Sequence, residues 1–173
     1  MILTPRTSHW ATAIMVLAAL YFGIVADGTD PGATKTVLLR FHAIAGITVL
    51  GLTLFHVYWW MFYDKKPGPV PGTPKWRRTM VKVNHFLLIS LLLVGPGFGA
   101  IMVLQSGAYA TLFLGSNIAL PDFWEHRLRE YHGLIGRIIM LLAILHIAGA
   151  LLRAMKKPKG YLKRMWFRYS KDK

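Results

Sequence analysis

The chain has 173 residues, 54% of them hydrophobic, a formal net charge of +14 and no cysteine. Without cysteine there is no disulfide, no thiolate-held iron–sulfur cluster and no covalently attached c-type haem. Histidine-held cofactors are untouched by that exclusion, and seven histidines are present.

Four apolar runs predict membrane-spanning helices over about residues 5–26, 37–63, 83–104 and 131–153. Each is long enough for a hydrocarbon core of roughly 30 Å. The first follows Thr4-Pro5, which suits an N-cap and first helical position. It is long, has only Arg6 before it and lacks a small-x-small cleavage site before Asp27, so it reads as a retained span rather than a signal peptide. A turn-rich segment, Asp27 to Thr36, leads to span two, which carries His42 and His56 and closes on Trp59, Trp60 and Tyr63 as an interfacial belt. The connector with Pro67, Pro69, Pro71 and Pro74 reads as extended and basic. Span three opens with Lys82, Asn84 and His85, and Gly95-Pro96-Gly97 predicts a kink. The loop from Gln105 to Glu130 is the longest. Its apolar pieces, Tyr109 to Leu114 and Phe123-Trp124, suggest an interfacial lid. Span four holds His132, Arg137 and His146. Arg137 is expected to be buried, paired and turned away from the histidine seam. The expected fold is all-α, an integral membrane four-helix bundle, with residues 1–173 forming one domain.

Charge gives the orientation. Of 21 Lys and Arg, sixteen fall at the N-terminus, between spans two and three, or from Arg153 onward. The other two loops carry Lys35, Arg40, Arg127 and Arg129 together with five of the seven acids. By the positive-inside rule both termini are cytoplasmic. The basic balance then serves orientation and contact with anionic membrane lipids rather than nucleic acid.

Spans two and four share a pattern: Phe41-His42, Gly46, His56 and Tyr131-His132, Gly136, His146. Fourteen residues make nearly four helical turns, so each pair of histidines faces one way, roughly 21 Å apart along the axis. Histidines on one seam near both faces of a bilayer point to two stacked redox centres, a di-haem b-type membrane cytochrome. Gly46 and Gly136, at i+4, leave room for a porphyrin against the backbone, favouring His42 and His132 as the axial pair of an outer haem. For His146 two partners stay open. Depth favours His56, whereas steric room favours His9, because Ala13 follows His9 at i+4 while Trp59 and Trp60 follow His56. An iron held by two imidazoles has no open position for dioxygen, which points to electron transfer. Arg6, Arg129 and Arg153 lie on the ligand faces and are candidates for contacting haem propionates. Asn84 and His85 are candidates for a quinone headgroup, while His126 reads as an ordinary loop residue.

These features resemble the bacterial cytochrome b561 family, in particular its short four-helix members that act as superoxide oxidases. The resemblance rests on Ser8-His9-Trp10, His42 with Gly46, His85 followed by Pro96 and Gly99, Phe113-Leu114-Gly115 with Pro121, and Tyr131-His132 through His146. It implies two haem b groups, the outer on His42 and His132 and the inner on His9 and His146, with His56 a non-ligand. It further implies a superoxide:ubiquinone oxidoreductase, taking electrons from superoxide or another one-electron donor on the periplasmic side and delivering them to membrane quinone. The same scaffold is similar to cytochrome b subunits that link formate dehydrogenases or nickel–iron hydrogenases to the quinone pool. The compact length favours a stand-alone protein for which a partner protein is not required.

Overall fold

The structure, a computed structural model, describes residues 5–63 and 74–156. The connector prolines Pro67, Pro69 and Pro71, the tail from Lys157 and the side chain of Arg6 lie outside the described residues. There are four long helices, α1 (Pro5–Asp27), α2 (Ala33–Phe62), α3 (Lys75–Gln105) and α5 (Arg127–Lys156), and the short α4 (Tyr109–Phe113) and a 3-10 turn (Phe123–Glu125) lie between α3 and α5. All four long helices are apolar enough to cross a membrane. The expected all-α four-helix membrane bundle is therefore what the chain forms.

Hydropathy marks the lipid-crossing part of a helix, not its end. Accordingly α3 begins at Lys75, straight after Pro74 in extended conformation, and its first two turns are basic and exposed. Asn84 and His85 thus sit well inside α3 instead of opening it. The helix continues through Pro96 to Gln105. Its stop is local: the Ser106 N–H donates to the Met102 carbonyl at 3.0 Å, and Gly107 then takes a φ of +73°, where a side chain would be strained. Gly115, at φ +71°, turns the chain out of α4 in the same way.

The closely packed helix pairs include α1 with α2, α3 with α5 and α2 with α3. The pairs α1/α5 and α2/α5 lack such close backbone packing. The apolar core is a thin layer of Val16, Val49 and Ile139, supported by Met15, Leu20, Leu88, Leu91, Leu92 and Ile135. Val16 is seven residues after His9. Val49 is midway between His42 and His56, and Ile139 is midway between His132 and His146. The core layer therefore separates two histidine levels, each about 10 Å away along the helices. Outside it, large side chains such as Leu17, Ile47, Leu54, Leu141 and Ile144 are exposed, as expected of surface that meets lipid tails.

Candidate functional site: two histidine pairs

At the end that carries α4, His42 of α2 and His132 of α5 meet. Their rings are perpendicular with centroids 5.7 Å apart, and the two Nε2 atoms are 3.4 Å apart. Each ring is oriented from behind. His42 Nδ1 donates to the Ala19 carbonyl at 2.8 Å, and His132 Nδ1 donates to the Gly95 carbonyl at 2.9 Å. A carbonyl only accepts, so the proton of each neutral imidazole is on Nδ1 and both Nε2 lone pairs point at each other. That arrangement is repulsive unless a cation lies between them. Two metal–nitrogen bonds of about 2 Å each need an Nε2 separation only slightly larger than the one seen.

Glycines shape the seat. A Cβ on Gly23 would lie 2.8 Å from His42 Nδ1, and one on Gly99 would lie 3.1 Å from His132 Cε1. Gly23 and Gly99 therefore let the rings settle against α1 and α3. Gly46 and Gly136 are different, since a Cβ there would meet nothing within 4 Å. They line open space beside the rings, as a flat macrocycle requires. Among the described residues no group of three or more His, Asp or Glu could hold a metal ion. Two facing imidazoles therefore suit a metal that brings its remaining ligands with it, which is what haem does. The residues present fit that group.

At the opposite end His146 of α5 has two histidine neighbours: His9 of α1, with ring centroids 6.2 Å apart, and His85 of α3 at 4.8 Å. His85 Nδ1 donates to the Val81 carbonyl at 2.7 Å, which leaves its Nε2 for another partner. His56 is used otherwise. Its Nδ1 lies 3.1 Å from the hydroxyl of the fully buried Ser8, and its ring is perpendicular to the Trp60 ring with centroids 4.3 Å apart. Asn84 is half-buried beside His85, and Arg153 is half-buried toward the end of α5.

Arg129 pairs with Asp27 at the C-terminal end of α1 and covers the Trp124 ring, its guanidinium carbon 4.5 Å from the ring centre. Arg137 does not behave as expected. It is exposed rather than buried, and it makes no ion pair or hydrogen bond among the described residues. Its position, five residues beyond His132, turns it about 140° from the histidine seam and onto the outside of the bundle.

The seat at Gly23, the Ala19 and Gly95 carbonyls and the Ser8 partner of His56 escaped the sequence reading. A glycine in an apolar run carries no mark of which neighbour presses on it, and a backbone carbonyl has no sequence signal at all.

Comparison with curated proteins gives no match. Residues 3–168 match the profile of the prokaryotic cytochrome b561 family. That match spans nearly the whole chain and covers both histidine pairs, so the chain belongs to the prokaryotic cytochrome b561 family, membrane proteins that transfer electrons through b-type haem.

Proposed function

We propose that residues 1–173 form one membrane cytochrome b domain that carries electrons across the bilayer between two haem b groups. In this reading His42 and His132 ligate the outer haem, and His9 and His146 the inner one. Haem held by these histidines would supply a one-electron carrier suited to electron transfer. The observation that carries the reading is the pair of Nε2 atoms 3.4 Å apart with both Nδ1 atoms committed to carbonyls. Gly46 and Gly136 give the macrocycle room. Arg129 has a guanidinium at the level of the outer pair for a propionate, and Arg6 and Arg153 take that role at the inner level. Asn84 and His85, beside His146, hold a quinone headgroup by hydrogen bonds.

The donor proposed is superoxide at the periplasmic side, with ubiquinone as acceptor in a bacterial inner membrane and both chain termini cytoplasmic. Two superoxide anions each lose one electron and become dioxygen; quinone takes the two electrons and two protons to become quinol. The test is a spectrum of the purified full chain, oxidised and reduced, with haem quantified per chain, followed by superoxide consumption in the presence of quinone. Two low-spin b haems and consumption faster than spontaneous dismutation are expected. Two haems without superoxide activity would instead favour a subunit that links a dehydrogenase or hydrogenase to quinone. That alternative has an observation in its favour: three of the four cations at the α4 end are already engaged. Lys35 bonds the Thr29 carbonyl, Arg40 bonds the Leu112 carbonyl, and Arg129 pairs with Asp27. A colourless chain from haem-supplied cells would remove both readings.

A further inference from the structure

An arginine on the lipid-facing side of a membrane helix is costly unless its charge finds a partner. Arg137 lies ten residues into α5, roughly 15 Å from its start, amid Ile135, Ile138, Ile139 and Met140. Its bond to Cβ leans toward the helix N-terminus, so its guanidinium reaches back along α5 toward the α4 end. At i−4 is Gly133, over which the Arg129 side chain extends: a Cβ there would lie 2.8 Å from Arg129 Nη1. The result is a groove of about 360 Å³ on the outer face of α5, lined by Arg137, Gly133, Leu134, Glu130 and Trp124. Arg129 borders the groove too, but its charge is matched by Asp27. Among the described residues, Arg137, deep, and Glu130, shallow, line the groove without an ion pair. Seven residues separate them on one helix face, roughly 10 Å along the axis.

That order of charges has a natural complement. In a phospholipid with an amine headgroup the phosphate lies nearer the bilayer core and the ammonium nearer water. We propose that this groove binds a membrane phospholipid of the phosphoethanolamine class, with Arg137 on the phosphate and Glu130 on the ammonium. The acyl chains follow the exposed Leu134 and Leu141, and the exposed Trp124 and Tyr131 mark the interfacial level. An anionic phospholipid without an amine, such as phosphatidylglycerol, satisfies Arg137 but brings no cation to Glu130. An uncharged amphiphile leaves both unpaired.

The experiment is native mass spectrometry of the full haem-loaded chain equilibrated with equal amounts of dioleoyl phosphatidylethanolamine and dioleoyl phosphatidylglycerol. The wild type should retain the ethanolamine lipid by about fivefold over the glycerol lipid, the most that an exposed charge pair provides. Glu130→Gln should abolish that preference, and Arg137→Gln should lower retention of both lipids. Equal retention by the wild type overturns the proposal, whether or not either variant folds. So does a preference that survives both substitutions in chains with unchanged haem content.

Discussion

A histidine whose Nδ1 donates to a carbonyl is a fixed ligand with its Nε2 aimed, and His42 and His132 share that state. If they bind one iron, losing either should cost the same haem. His42→Ala, His132→Ala and the double variant should each fall from two haems per chain to about one, a non-additive pattern expected of residues acting as a unit. A further fall in the double variant would separate the two histidines. The glycines around them divide by what a side chain would meet. Gly23→Val would press on the His42 ring itself, 2.8 Å away, and should disturb the chain with or without haem. Gly46→Val meets no protein atom within 4 Å, so the haem-free chain should be as stable as wild type. Its outer haem should bind about 2 kcal/mol more weakly, as overfilling a packed site does. Equal effects of the two substitutions would contradict the assignment of the open space to a macrocycle. The sequence made half of this legible. Matched histidine spacing and glycine at i+4 mark the ligand seam, because both lie on one helix. Gly23 and Gly99 act across helices, on rings that belong to α2 and α5, and no pattern within one helix reveals such a contact.

Among the elements, the four long helices were readable because each must present about 20 apolar residues to lipid. What hydropathy hid is the basic beginning of α3, where helix continues without an apolar run. The loop between α3 and α5 was expected to be a lid, and its anchoring depends on one residue far away in sequence. Arg40 of α2 donates from Nε to the Leu112 carbonyl at 2.7 Å and from Nη2 to the Thr111 carbonyl at 3.2 Å. These carbonyls belong to the last turn of α4, where a cation also complements the helix dipole. Leu112 is 2% exposed, and the Thr111 hydroxyl donates to the Ile118 carbonyl at 2.9 Å, so the returning chain is tied to the same turn. Arg40→Ala should lower the free energy of local opening by about 2 kcal/mol, the usual scale for hydrogen bonds to a charged group. Amide hydrogen exchange over residues 109–118 should quicken while α1 and α2 keep their protection. Unchanged exchange in that segment would mean the lid is held by its apolar contacts alone.

At the scale of the molecule, the two faces differ sharply in charge. In the sequence, residues 63–82 and the segment from Arg153 onward hold fifteen of the 21 basic residues, whereas the α4 end nearly balances cations against acids. Part of that balance is local, since Asp27 pairs with Arg129. An anionic donor approaching the α4 end therefore feels little net field, while one approaching the basic face would be drawn in strongly. Ionic strength separates the two cases, because salt screens only a field that exists. If superoxide delivers electrons at the α4 end, its rate of oxidation should change by less than about twofold between about 20 and 200 mM salt. A steep decline with salt would place the donor at the basic face instead. It would then reverse the direction of electron flow proposed here, because the electrons would enter at the level of His9 and His146 and cross the Val16, Val49 and Ile139 layer toward His42 and His132.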